Sequence, residues 1–134
     1  MSNIYLGLDI GERRIGVATA TSEVRAAWPL TTVLVNDDIA QVLKKIVDEQ
    51  DSNAIIVGRP LNQAGQPTKQ TKAVEQFVHR VLKPLGVPIH WQEESVTSIL
   101  AEERLQERGQ PYDKAAIDAE AAAIILQDYL EAQA

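Results

Sequence analysis

The sequence predicts an α/β fold in which a mixed sheet carries helices on its faces. Near the start of the chain, Ile4, Leu6 and Leu8 alternate with other residues, which is the periodicity of a strand. From residue 37 onward, segments with apolar residues at helical spacing alternate with short apolar segments. Strands joined through helices run parallel, whereas strands joined by tight turns run antiparallel, so the predicted sheet contains both kinds of pairing.

The first three elements are predicted to be strands. Strands near residues 4–9 and 15–20 form a hairpin, because Gly11 and Gly16 punctuate the sequence where the chain must reverse. A third strand is predicted at residues 25–32, although this segment contains a proline. The chain is therefore expected to open with antiparallel strands.

The rest of the chain alternates between helices and strands and closes with two helices. The predicted elements are a helix at 37–50, a strand at 54–57, a helix at 68–82, a strand at 87–91, and helices at 97–108 and 115–131. Three leading strands followed by this alternation are the element order of the ribonuclease-H-like fold. Residues 1–134 are predicted to form one domain of this kind, with Trp28 and Trp91 in its core.

The composition is typical of a globular protein. The residues are 45% hydrophobic and 24% charged, and no apolar run approaches the roughly 18 to 20 residues that cross a bilayer. No basic stretch followed by an apolar segment marks a secretory signal at the N-terminus. Because the chain has no cysteine, disulfides and thiolate metal sites are excluded. These features predict a cytoplasmic protein that does not associate with membranes.

Charge is unevenly distributed along the chain. The net charge of −6 argues against a general nucleic-acid coat protein, which needs a basic surface. Residues 59–90 nevertheless carry five basic side chains against one acid, a net charge of +4. The basic residues are Arg59, Lys69, Lys72, Arg80 and Lys83. This distribution permits a basic surface beside an acidic centre, although each of these side chains alone is typical of a solvated helix.

Three acidic residues lie where a catalytic site can form. Asp9 ends the first predicted strand, and Glu94, next to Glu93, follows the last one. The carboxyl ends of neighbouring strands meet at one edge of an α/β sheet, so Asp9 and Glu94 can converge. Asp118 shares a helix face with small and apolar residues, where a carboxylate is costly unless it is paired or binds a cation. Two simpler interpretations stay open: Asp9 caps a turn, and Asp118 interacts with the helix dipole.

Three converging carboxylates would repel one another without a cation. Mg²⁺ and Mn²⁺ prefer oxygen ligands, and the chain has no cysteine and only two histidines. Two such ions about 4 Å apart clamp the attacking and leaving oxygens of a phosphodiester and lower the pKa of a bound water. The pattern therefore predicts a metal-dependent hydrolysis in which water is the nucleophile.

Four segments resemble, in order, the signatures of the YqgF family of ribonuclease-H-like proteins. They are residues 7–18, 57–65, 93–102 and 117–130. The resemblance implies a metal-dependent nuclease, described both as a Holliday junction resolvase and as a nuclease that matures the 5′ end of pre-16S rRNA. It also implies that Asp9, Glu94 and Asp118 are the catalytic acids that hold the metal. The chain departs from the family in the third segment, where Glu93 stands in place of an aspartate and Ser95 in place of an arginine.

Phosphate contacts are expected from the turns that surround these acids. The candidates are Arg13, Arg14, Arg59 and Asn62. For Arg13 and Arg14 the alternative is a solvated turn, and for Arg59 it is a surface salt bridge. If the family's arginine contacts phosphate, Ser95 removes one charge-assisted contact from this chain.

The function that the sequence favours is a metal-dependent endonuclease that processes the 5′ end of pre-16S rRNA during ribosome biogenesis. One alternative is a Holliday junction resolvase acting on structured DNA. Another is a non-catalytic RNA-binding factor of ribosome assembly, which Ser95 and the acidic balance favour. A nucleotide-binding domain of the actin or sugar-kinase type shares an Asp-x-Gly strand and turn, but it needs a second copy of the domain. The sequence does not decide whether the substrate is RNA or branched DNA, or which site in it is cleaved. It also does not decide whether Glu94 or Glu93 is the metal ligand, or whether the protein is a monomer or a homodimer.

Overall fold

A computed structural model describes residues 3–94 and 97–133, which form a five-stranded sheet with four α-helices packed around it. The strands are β1 (Ile4–Ile10), β2 (Arg14–Thr21), β3 (Trp28–Leu34), β4 (Ala54–Pro60) and β5 (Ile89–Glu94). The helices are α1 (Ile39–Gln50), α2 (Lys69–Phe77), α3 (Thr97–Arg108) and α4 (Lys114–Ala132). Ser95, at which the sequence departs from the family pattern, lies outside the described residues.

The sheet is mixed, as the element order predicts. Its strand order is β3-β2-β1-β4-β5, so that the first strand of the chain lies in the middle. β1 pairs antiparallel with β2, and β2 pairs antiparallel with β3. β1 pairs parallel with β4, and β4 pairs parallel with β5, because α1 and α2 provide the crossovers. The carboxyl ends of β1, β4 and β5 therefore lie at the same edge of the sheet.

The two faces of the sheet are buried by different helices. On one face, alternate residues of β1 and β2 pack with the apolar sides of α1 and α2, as Leu8, Leu43 and Val74 do. On the other face, small residues of β2 allow α4 to lie close, with Leu126 in that cluster. α3 packs on α4 rather than on the sheet, through Ala101. Within the described residues, no helix is long and apolar enough to cross a membrane.

Three details differ from the sequence prediction. β3 begins and ends later than predicted, and β4 ends three residues later. β5 begins two residues later and ends three residues later than predicted, so that Glu94 is its last residue rather than a residue after it. The helix predicted at 68–82 is α-helical only to Phe77 and continues as a π-helical turn, Val78–Leu82. A 3₁₀ turn then leads to Gly86, whose φ of 77° ends the element.

The prediction that both tryptophans lie in the core is wrong. Trp28 is 47% exposed and Trp91 is 37% exposed. Each belongs to an edge strand of the sheet, where a neighbouring strand shields it on one side only. The sequence pattern identifies both segments as strands but contains nothing that assigns them to an edge.

Candidate active site

Two of the three predicted acids line the same cavity. Asp9 and Glu94 border a cavity of about 300 Å³ at the edge of the sheet where β1 and β5 end. Gly58 of β4 and Ile125 of α4 lie in the wall between them. A Cβ on Gly58 would stand 2.5 Å from the Cδ1 atom of Ile125, so glycine at this position lets α4 approach the sheet. We call this space the acidic cavity.

Asp9 is placed in the acidic cavity by the alternation of β1. Leu8 and Ile10, on either side of it, are buried on the opposite face of the sheet, and Asp9 itself is half-buried. Burial, followed by the negative charge of Asp118, raises the pKa of Asp9 to about 6. The ionised form of Asp9 is therefore destabilised, and a bound cation would stabilise it.

Glu94 enters the cavity from the end of β5. The Thr97 hydroxyl donates a hydrogen bond to Glu94 Oε2 at 3.2 Å. Burial, followed by the hydrogen bond and the charge of Asp128, raises the pKa of Glu94 to about 8, against smaller opposing contributions from Thr97 and Gln92. Two of the acids at this edge thus resist ionisation in the absence of a cation.

Asp128 is a residue that the sequence reasoning missed. It lies on α4 three residues after Ile125, which lines the acidic cavity, and its carboxyl group faces Glu94. Residues three apart share a helix face, so the spacing from Ile125 was the signal that could have identified it. The structure therefore brings a fourth carboxylate to this edge of the sheet.

Asp118 lies beside the acidic cavity and not within it. Arg14 Nε donates a hydrogen bond to Asp118 Oδ2 at 2.5 Å, and both residues border an adjacent cavity of about 290 Å³. Ser98 and Ile99 of α3 line both cavities and so lie between them. The helix cap is supplied by Asp113, whose Oδ1 accepts from the Ala116 amide at 2.9 Å.

The position of Asp118 follows from Gly16. Gly16 is the residue of β2 that pairs with Asp9, and a Cβ on Gly16 would overlap the carbonyl oxygen of Asp118. Glycine therefore allows the backbone of α4 to lie directly against β2 at this position, with Asp118 next to Asp9. Among residues 3–94 and 97–133, no three acidic or histidine side chains are close enough together to hold one metal ion.

The pleat of β5 places Glu93 and Glu94 on opposite sides of the sheet. Successive residues of a strand face opposite sides, so Glu94 lines the acidic cavity while Glu93 points away from it. Glu93 Oε1 lies 3.7 Å from Arg59 Nη1, and Arg59 Nε lies 3.3 Å from Glu75 Oε2. Arg59 thus occupies the surface salt bridge that the sequence analysis left open as its alternative role.

The remaining predicted phosphate contacts lie in two turns. Arg13 is exposed in the turn between β1 and β2, and its carbonyl accepts from the Val35 amide at 2.8 Å. Asn62 Oδ1 accepts from the amides of Ala64 and Gln66 at 3.0 and 2.9 Å, which stabilises the loop after β4. The Asn62 carboxamide oxygen is therefore occupied by its own loop.

The sequence as a whole matches one protein family and its members. A family model described as RuvX, Holliday junction resolvase, matches residues 3–132. A relative from Synechocystis is 40% identical over 131 residues, which cover 94% of this chain and 86% of that protein. A relative from Chloroflexus aggregans is 42% identical over 133 residues, covering 96% and 93%. Both relatives carry the provisional name of pre-16S rRNA nuclease.

Solved structures with this fold include two resolvases. RuvC of Thermus thermophilus, in complex with a Holliday junction substrate, matches with a TM-score of 0.59 and 19% identity over 98% of this chain and 95% of that one. The Fowlpox virus resolvase, in complex with Holliday junction DNA, matches with a TM-score of 0.52 and 10% identity over 97% and 98%. These likenesses confirm the predicted ribonuclease-H-like fold.

Family membership rests on the sequence match, which spans β1 to α4 and includes each of the predicted acids. The four segments that resemble the YqgF signatures all fall within it, and the relatives carry the name of a nuclease. The chain therefore belongs to the RuvX (YqgF) family of Holliday junction resolvases, and the predicted nuclease class is confirmed.

Proposed function

We propose that this protein hydrolyses phosphodiester bonds of nucleic acid with the help of divalent metal ions held by Asp9, Glu94 and Asp118. The observation that supports this most is the meeting of Asp9 and Glu94 in one cavity, where the pKa values of both carboxyl groups are raised. Such clusters of perturbed carboxyl groups in a cleft are typical of catalytic sites.

The donor atoms at this edge of the sheet fit Mg²⁺ or Mn²⁺. All of the candidate ligands are carboxylate oxygens, and hard divalent cations prefer these. Asp9 and Glu94 already share a cavity, whereas Asp118 is paired with Arg14 and would join them by exchanging this partner. When bound, the metal would lower the pKa of a water molecule and neutralise charge on the reacting phosphate.

The chain's own residues would position the metal and the substrate. Thr97 orients Glu94 through its hydrogen bond, and Arg14 holds Asp118 next to Asp9. The Arg14 side chain is 34% exposed, so its guanidinium is accessible to a phosphate oxygen as well as to Asp118. Arg13 lies in the same turn and would add a second positive charge. Arg59 would need to leave its present partners, whereas Asn62 could donate from Nδ2 while its Oδ1 stays bound to the loop amides.

For the substrate, we propose the 5′ end of pre-16S rRNA, with cleavage taking place in the cytoplasm during ribosome biogenesis. The names of the relatives from Synechocystis and Chloroflexus aggregans favour this substrate. A second candidate is a four-way DNA junction, which is favoured by the family description and by the fold shared with RuvC. Contacts to phosphates carry no sequence information, so either polymer could be accommodated.

The proposal is tested by a cleavage assay in Mg²⁺ and in Mn²⁺. An RNA with the extended 5′ end of the small-subunit precursor and a four-way DNA junction are compared, with Asp9→Asn and Asp118→Asn as site variants. Asp37→Asn is the matched control, since Asp37 is exposed and lies outside every cavity named above. We expect cleavage of one substrate that is lost in both site variants and kept in the control. If neither substrate is cleaved, the non-catalytic assembly factor becomes the better account.

A further inference from the structure

Two adjoining grooves lead away from the acidic cavity along α2. The acidic cavity shares Ile10 and Gln70 with a larger groove of about 680 Å³, which lies between the turn after β1 and the exposed side of α2. That groove in turn shares Gln76 and Arg80 with a shallower one of about 650 Å³. The acidic cavity and the two grooves therefore adjoin one another in a row that follows α2 away from Asp9.

One wall of this groove is basic. Lys69 and Arg80 line the larger part, and Lys72 lines the shallower part together with Arg80. All three side chains are exposed, and within the described residues none lies within 4.0 Å of a carboxylate. We call this stretch the basic groove.

The spacing along the helix explains why these residues share a wall. Lys69, Ala73, Gln76 and Arg80 all line the larger groove, at offsets of four, seven and eleven residues. These offsets describe one helix face, and the π-helical turn that contains Arg80 continues that face beyond Phe77. The charges are therefore aligned along the groove.

Most other arginines of the described chain have a partner within the protein. Arg14 pairs with Asp118, Arg59 with Glu75 and Glu93, and Arg104 and Arg108 with Glu120. Arg80 departs from this pattern, and within the described residues Lys69 and Lys72 beside it also have no ion-pair partner. It leaves charge available for an external polyanion.

We propose that the basic groove binds the phosphate backbone of a nucleic-acid strand and guides it to the acidic cavity. This inference rests on the proposed function, since the strand is the one whose phosphodiester bond is cleaved there. An acidic protein repels a polyanion at long range, and a basic track next to the carboxylates offsets this repulsion locally. Glu12 also lines this groove, and its negative charge would repel the nucleic-acid strand from the turn after β1.

The test compares two variants with the same change in net charge. Lys69→Gln/Arg80→Gln removes charge from the basic groove, and Lys44→Gln/Lys45→Gln removes the same charge from α1. Lys44 and Lys45 are exposed, and the Lys44–Asp48 pair is a surface pair of little energetic consequence. Binding of a fluorescein-labelled single-stranded RNA is measured by anisotropy in buffer with EDTA, over a range of salt concentrations.

We expect the groove variant to bind about tenfold more weakly than wild type, while the α1 variant binds within about twofold of it. The salt dependence should also become shallower by about 0.7 per lost phosphate contact, or about 1.4 in total. Equal weakening in both variants, or an unchanged salt slope in the groove variant, would overturn the inference.

The binding assay separates this inference from the proposed function. Because it contains no divalent metal, groove-dependent binding supports the inference even if no substrate is cleaved in the cleavage assay. Conversely, if wild type cleaves and the groove variant binds as wild type does, the inference is overturned and the proposed catalytic site is unaffected.

Discussion

At the scale of single residues, the main feature is a pair of carboxyl groups, Asp9 and Glu94, whose ionised forms are destabilised in the folded protein. Burial raises the pKa of Asp9 from 3.8 to about 6 and, with Asp128, that of Glu94 from 4.5 to about 8. An acid whose pKa is raised in the folded state binds more protons folded than unfolded. Folding stability therefore falls as the pH rises through the interval between the two pKa values.

This predicts that Asp9→Asn is more stable than wild type at pH 8 in the absence of metal. The gain should be on the order of 3 kcal/mol, since about two pKa units separate the folded and unfolded states and each unit corresponds to about 1.4 kcal/mol. It should shrink as the pH is lowered from about 6 and vanish below 3.8, where Asp9 is protonated in both states. Urea unfolding at several pH values, in EDTA, measures the difference.

Asp37→Asn is the control for this experiment, because Asp37 is exposed and its replacement should leave the pH dependence of stability unchanged. A variant Asp9→Asn that is less stable than wild type at pH 8 would contradict the prediction. So would a stability difference that is the same at every pH.

At the scale of elements, α3 is held in place mainly by α4. Its one fully buried residue is Ala101, which packs on α4. A second tie is Glu120 of α4, whose side chain is 2% exposed and accepts from Arg108 Nη1 at 2.6 Å and from Arg104 Nη1 at 3.4 Å. Since α3 also contributes a wall of the acidic cavity, this ion-pair cluster supports the site from a distance.

We predict that Arg104→Ala/Arg108→Ala destabilises the protein by about 3 kcal/mol, because it removes both partners of the buried Glu120 carboxyl group. Glu120→Gln should cost less, since the two arginine side chains are 47% and 52% exposed and can be hydrated. Hydrogen exchange should accelerate in α3 before it does in the sheet. If Glu120→Gln costs as much as the double arginine variant, the burial argument is wrong.

At the scale of the whole molecule, a divalent cation should act as a stabilising ligand. The carboxylates meet where three parallel strands and α4 come together, and that arrangement exists only in the folded state. Binding to the folded state alone stabilises by mass action, by about 2.7 kcal/mol when the free ligand is at 100 times its Kd.

We expect Mg²⁺ and Mn²⁺ to raise the melting temperature of wild type in a concentration-dependent manner. The shift should be largely lost in Asp9→Asn, reduced in Asp118→Asn and retained in Asp37→Asn. A differential scanning fluorimetry titration measures all four proteins. An identical shift in all of them would mean that the metal binds elsewhere and would remove the main support for the proposed site.

Much of the fold could be predicted because its signals are local. Strand alternation, helical spacing and the glycines and prolines between them identify each element and their order. The predicted acids Asp9 and Glu94 could be placed at strand ends by the same reasoning, and the family match confirms the fold. The ends of the strands and helices were less predictable. β5 continues to Glu94 because it pairs with β4 as far as Pro60. Neither segment alone contains a signal for that pairing.

The sequence by itself determined the element order, the nuclease family and the set of acids from which the site is proposed. The tertiary structure alone decided that Asp118 is held by Arg14, that Asp128 faces Glu94, and that the basic side chains of α2 line a groove joined to the acidic cavity. The physical reason is that helix and strand formation depends on neighbours within a few residues. Burial, charge pairing and cavities depend on side chains that meet only after the chain has folded.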